Sequence, residues 1–329
     1  PCIVGGWGYF MPLMGVEKMK AHWRYLIARY GAWPVVWCAA GEANLPYYLA
    51  KGFPYDDREQ VHGWTEVLRS IRATDPWRRP LTIHPTAINR YTSRHATDDE
   101  RLLDFDMLQT PHGQAEAAPV AVRAMRESYA AKPTMPVIDG EASYEMLNDN
   151  LPTAWTRAMF WLCLTNGAAG HTYGANGIWQ VNRRGDPHGP SPHGGNYGKI
   201  AWDEAMRLLG SEQVALGKKF FESLPWTKLA PIDGAAAWLD EPANAPPQMK
   251  PVAPQTCGIG DGLLVIYGLK PQGIAVSRLR PNAVYHVTLF DPVTGKRTKE
   301  HDVAADANGS FSLATPHLDH DFVWLLERR

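Results

Sequence analysis

The chain has 329 residues, 45% of them hydrophobic, which exceeds one average domain and supplies a sizeable core. Lys and Arg total 33 against 34 Asp and Glu and are scattered, so the charge pattern offers neither a nucleic-acid groove nor a membrane-surface patch. No stretch reaches the roughly 18 apolar residues of a transmembrane helix. The cysteines, Cys2, Cys38, Cys163 and Cys257, lie far apart without CxxC or Cys/His ligand spacing, and no disulfide framework is implied. Cys38 and Cys163 sit in apolar runs and read as buried free thiols.

From residue 1 to about 226, short apolar runs alternate with amphipathic stretches, the signature of βα units. Ile3–Val4 reads as a strand running out into Gly5-Gly6-Trp7-Gly8-Tyr9. Lys18 to Tyr30 carries Trp23, Leu26, Ile27 and Tyr30 at helical spacing. The strand Pro34 to Glu42 follows, then a helix that Asp75-Pro76 closes. Leu81 to Pro85 is a short strand carrying His84, and Phe105 to Gln109 another, followed by Thr110-Pro111-His112-Gly113. A helix from Pro119 to Ala131 leads to the strand Pro136 to Glu141, and a helix from Thr153 to Asn166 leads to His171-Thr172-Tyr173-Gly174. A Gly-, Pro- and His-rich loop, Asn176 to Asn196, precedes one long helix from Ala201 to Leu224.

These make five or six strand-helix units where a closed (β/α)8 barrel has eight. Pro1 enters at once on a strand exit, so further units are expected upstream of it. After Trp226 the texture changes. Asp240 to Pro254 is Pro/Ala-rich without periodicity, and short alternating strands follow, with turns at Asp291 to Lys296 and Asp306 to Gly309. The expected organisation is an α/β barrel domain over 1–226 and a small antiparallel β-sandwich over 227–329, bracing the barrel by packing on its last helix.

Barrel enzymes place their chemistry where strands run out into βα loops. Two glutamates stand there. Period-two counting puts Val36, Cys38, Ala40 and Glu42 on one strand face, and Val137, Asp139 and Glu141 on another. Each glutamate follows a glycine, and Gly140 permits a bend or a close backbone approach. Two carboxylates across a sugar are what glycoside hydrolysis needs, one protonated to assist the leaving oxygen, the other ionised to attack or stabilise the anomeric carbon. The thirteen Trp and 13 Tyr add flat faces on which the C–H side of a sugar ring stacks. His84, Gln109, His112, Tyr144, His171, Tyr173 and Trp179 are candidate sugar-binding or orienting groups, with Trp7 and Tyr9 on the opposite wall. Tyr144 and Glu145 either orient Glu141 or mark a helix start. His188 and His193 share a glycine-rich loop with no carboxylate or cysteine at ligand spacing, so that loop reads as a mobile lid, and no metal or cofactor is expected.

The segments GGWGYF, RYGAWPVVWCAAGE, TPHG, PVIDGEASYE and HTYGANGIWQ together resemble the apiosidase-like glycoside hydrolases, over residues 1 to about 226. The tail resembles the collagen-binding-type β-domain that commonly follows them. The resemblance implies a TIM barrel with Glu42 as acid/base on strand 4 and Glu141 as nucleophile on strand 7, a polysaccharide or oligosaccharide substrate, and a secreted or periplasmic location. Related barrel glycosidases carry Asn immediately before the acid/base, where this chain has Gly41. The partner of the sugar 2-hydroxyl is then expected elsewhere, with Asn44 or His84 as candidates. Two other activities fit the same barrel: a carbohydrate-binding or adhesion protein without turnover, which the paired glutamates argue against, and a polysaccharide lyase, which would leave an unsaturated, ultraviolet-absorbing product.

Overall fold

The structure, a computed structural model, describes residues 10–45, 56–86, 91–189, 197–240 and 252–329. The chain begins there with α1 (Phe10–Tyr30), which starts earlier than the periodicity suggests and bends at Gly15, whose φ of 75° suits glycine. Next come β1 (Trp37–Cys38), α2 (Arg58–Thr74) and β2 (Leu81–Thr82). Then follow β3 (Asp106–Gln109), α3 (Ala117–Ala130), β4 (Val137–Glu141), α4 (Thr153–Thr165) and β5 (Gly170–His171).

The strands are parallel, in a two-stranded sheet β1-β2 and a three-stranded sheet β3-β4-β5. Ser93 stitches the two together. Its hydroxyl donates to the Ile83 carbonyl at 2.6 Å and accepts the Met107 amide at 2.9 Å, while the Asp104 amide donates to the Leu81 carbonyl at 2.9 Å. The strands therefore follow one another in chain order, as helical crossovers of a single hand require. Helices cover one side: Trp37 meets Trp23 of α1 edge-on at 5.7 Å and donates its indole N–H to Asp75.

The long helix expected over Ala201 to Leu224 is two helices, α5 (Trp202–Ala205) and α6 (Gly210–Glu222). The interruption brings the Gly210 amide against the buried Glu145 carboxylate, where a Cβ on residue 210 would come within 2.2 Å of its Oε2. Apolar periodicity runs through both helices and conceals the break.

Among the described residues nine antiparallel strands follow: β6 (Ala230–Pro231), β7 (Ala236–Trp238), β8 (Gln255–Ile259), β9 (Leu263–Gly268), β10 (Ile274–Val276), β11 (Val284–Phe290), β12 (Arg297–Ala304), β13 (Phe311–Leu313) and β14 (Phe322–Arg328). They form a six-stranded sheet, β12-β11-β14-β9-β8-β6, and a three-stranded sheet, β13-β10-β7. On one face of the larger sheet, Leu264, Ile266, Trp324 and Leu326 share a core with Trp238, Ile274 and Val276 of the smaller one. On the other face, Val265, Tyr267, Phe290, Val323 and Leu325 pack on Phe160 and Trp161 of α4 and on Phe220 and Phe221 of α6. Trp161 and Tyr267 stack with ring centres 5.8 Å apart. Burial on both faces is why β9 reads as an unbroken apolar run, not an alternating one. The packing reaches two helices, α4 as well as the last one.

Candidate active site

The two parallel sheets run out on one side, and the residues there are set by two local irregularities. At the end of β1 the pairing with β2 continues through Ala39 N–H to Thr82 O and His84 N–H to Ala40 O, then turns. Glu42 takes a left-handed φ of 47°, a conformation that costs a non-glycine residue and concentrates at functional sites. At β4 the register with β3 slips, so that Leu108 faces Asp139 but Gln109 faces Glu141. Gly140 is the extra residue of a β-bulge, and a Cβ there would come within 2.5 Å of Met107 Cγ. The period-two expectation that Val137, Asp139 and Glu141 share a face is corrected by this bulge. Val137 packs in the helix-side core with Cys163, and Asp139 accepts the Cys163 thiol there, whereas Glu141 turns to the opposite side.

Glu141 and Glu42 are joined by a short chain of groups. The Gln109 amide donates to Glu42 Oε1 at 3.2 Å, and Gln109 is the register partner of Glu141. The backbone N–H of Glu42 donates to His84 Nδ1 at 3.1 Å. Because Nδ1 accepts, a neutral His84 carries its proton on Nε2, which faces Glu141 Oε2 at 3.3 Å. Burial is the main reason that His84 titrates below an ordinary histidine, in keeping with the neutral form. On the other carboxylate oxygen, His112 Nε2 lies 3.2 Å from Glu141 Oε1.

Tyr144 also hydrogen bonds to Glu141 and tilts against the His112 ring at 4.9 Å. The Glu141 carboxylate is 17% exposed. Burial alone would raise its pKa, but the His112 hydrogen bond, the electrostatic attraction of the His84 and His112 rings and the Tyr144 hydrogen bond outweigh that and hold it below the usual glutamate value. Tyr144 stays a phenol, since burial first and then the charges of Glu141, Glu42 and Asp139 oppose its ionisation. Both glutamates therefore act on one phenol. Gly174 makes room for that ring, as a Cβ there would overlap Tyr144 Cδ1.

Other expected residues fall elsewhere. Asn44 is buried, accepts the Thr86 amide and reaches Asp57, and so holds two loops together. His171 has a side chain only 1% exposed, sealed against Phe160 and 3.9 Å from Asp139. The Tyr173 hydroxyl donates to Glu145. Glu145 also takes the Thr153 hydroxyl and the Gly210 amide, which makes it a fully buried anchor and not an orienting partner of Glu141. Trp179 is 38% exposed and lies edge-on to His188 and Tyr197, in the loop after β5. Trp7, Tyr9 and His193 lie outside the described residues.

Sequence reasoning missed Asp139, Thr110 and Ser143. Asp139 accepts the Thr110 hydroxyl at 3.0 Å, and the Thr110 amide donates to the Glu141 carbonyl at 2.9 Å. Ser143 ties the loops after β3 and β4 by donating to the Gly113 carbonyl at 2.9 Å. Burial raises the Asp139 pKa to about 7 and lowers that of His171 to about 4. A polar residue inside an apolar run was the available signal for Asp139.

Two glutamates at the ends of two of the parallel strands, beside donors suited to hydroxyl-rich ligands, place the chain among glycoside-hydrolase-like proteins of mixed α/β fold. Residues 2–228 match the family model described as "Apiosidase-like, catalytic domain", and the chain belongs to that family. Among solved structures it is similar to one titled "Glycoside hydrolase", with 21% identity and a TM-score of 0.76 over 98% of this chain and 71% of that one. It is likewise similar to a glycoside hydrolase family 5 protein from Bacteroides vulgatus, with 20% identity and a TM-score of 0.77 over 98% and 69% of the two chains. At such identities the likeness is one of fold. Among curated proteins nothing matches. The family match ends before the C-terminal sheets, which are not identified as a collagen-binding-type domain.

Proposed function

We propose that the protein is a retaining glycosidase in which Glu42 is the acid/base and Glu141 the nucleophile. The parallel strands then belong to a (β/α)8 barrel domain over 1–226, with 227–329 as an accessory β-sandwich. The observation that carries the assignment is the set of partners about the Glu141 carboxylate. Glu141 faces His84 and His112, one on each oxygen, and bonds to Tyr144, which favours its anionic form. Glu42 receives an amide donor, which serves either protonation state.

In the first step Glu42 gives its proton to the leaving oxygen as Glu141 attacks the anomeric carbon. In the second, Glu42 takes a proton from the water that releases the glycosyl-enzyme. Such a sequence needs carboxyls about 5–5.5 Å apart. Gln109 and Tyr144, each close to both glutamates, support that arrangement. The family resemblance suggests exo action on polysaccharide side chains, with pectin-type oligosaccharides as the first substrates to screen, and a secreted or periplasmic location.

Proton NMR of a cleaved aryl glycoside tests the mechanism. The first anomer released should have the configuration of the substrate, and an inverted first product would remove the nucleophile assignment.

A further inference from the structure

On the helix side of β4, away from the two glutamates, three ligand-type side chains meet that hydrolysis does not use. Asp139 comes from β4, Cys163 from α4 and His171 from β5. Cys163 Sγ is 3.3 Å and His171 Nδ1 is 3.9 Å from Asp139 Oδ2, and the three donor atoms lie within 4.8 Å of one another. All three side chains are almost wholly buried. Asp139 Oδ1 and both ring nitrogens of His171 have no hydrogen-bond partner. Folded chains rarely leave such atoms orphaned, because each costs stability that a water or an ion would restore.

We propose that Asp139, Cys163 and His171 form a binding site for a borderline-soft divalent cation, with Zn²⁺ as its first probe. One sulfur, one imidazole nitrogen and one carboxylate is a set that zinc accepts, whereas magnesium and calcium take oxygen. Tetrahedral bonds of about 2.0–2.3 Å place neighbouring donors roughly 3.3–3.8 Å apart, near the 3.3 and 3.9 Å that separate Cys163 Sγ and His171 Nδ1 from Asp139 Oδ2. A water would complete the tetrahedron as the fourth ligand. As the S–Zn bond forms, the Cys163 thiol releases its proton to solvent, and His171 binds through the lone pair of neutral Nδ1. One ligand from each of three successive elements makes the cation a staple across β4, α4 and β5, directly behind the strand that carries Glu141. Spacing along the sequence could not show this, since Asp139 and Cys163 are 24 residues apart.

Elemental mass spectrometry of the full chain, prepared with Zn²⁺ and gel-filtered, should find about one zinc per chain. Cys163→Ser and His171→Gln should each lose it, and chelation should lower the thermal midpoint of the wild-type chain. If those variants do not fold, Co²⁺ loaded into the wild-type chain provides the second reading. A thiolate-to-cobalt charge-transfer band should appear and persist in Cys38→Ser and Cys257→Ser. Wild-type protein without bound zinc and without a cobalt band would overturn the proposal, leaving a neutral hydrogen-bonded cluster, as would a band that survives Cys163→Ser. None of these outcomes depends on the glycosidase assignment.

Discussion

Replacing Glu141 with alanine is expected to lower kcat on an aryl glycoside by roughly 10⁴-fold or more, the scale set by removal of a nucleophile. The cavity left behind faces His84 and His112, whose Nε2 atoms lie 3.3 and 3.2 Å from the native carboxylate oxygens and would suit a small anion. Azide should therefore restore turnover and yield a glycosyl azide of inverted configuration, since it attacks once from the nucleophile's side. Glu42→Ala should behave differently. It should lose most on substrates with poor leaving groups, by about 10²–10⁴-fold, and give an azide product of retained configuration, formed from the covalent intermediate. Rescue of both variants with the same stereochemistry would contradict the division of roles.

The largest stability effect is expected at the junction between the parallel strands' helices and the antiparallel sheets. Arg157 on α4 is 3% exposed and Asp321 before β14 is 5% exposed. The Arg157 Nε lies 3.0 Å from both Asp321 oxygens, its other nitrogens reach Asp321 and Gln213, and the Tyr267 hydroxyl donates to Asp321 at 2.9 Å. Arg157→Ala strands a buried carboxylate, and about 3–5 kcal/mol of destabilisation is expected in urea denaturation. The double variant Arg157→Met, Asp321→Leu removes both charges and should recover most of that loss, because a buried pair repays little beyond its own desolvation. A double variant no more stable than Arg157→Ala would mean that the pair itself, not the avoided lone charge, holds the junction.

The positions of the glutamates were legible because composition and alternation suffice to find where an apolar run ends in a carboxylate after glycine. Which way each carboxylate points was not. Counting by twos assigns Asp139 and Glu141 one face, and only the register slip at Gly140 separates them. The left-handed turn at Glu42 is equally silent, since no glycine marks that residue. His84, Gln109 and His112 could be named from their places after strands, whereas Asn44 and His171 have the same residue chemistry but turn to other partners, Asn44 to Thr86 and Asp57, His171 to Phe160 and Asp139. In the C-terminal sheets, β9 and β14 were visible as apolar runs. Strands of two or three residues, such as β6, β7 and β13, are too short to carry a period.

Retention requires Glu141 to bond covalently to the sugar, and a slow mechanism-based label tests that most directly. A 2-deoxy-2-fluoro glycoside with an activated leaving group, of a sugar that the protein turns over, should inactivate it and add one glycosyl mass to the peptide containing Glu141. Label on Glu42, or turnover with no labelled carboxylate at all, would contradict the account.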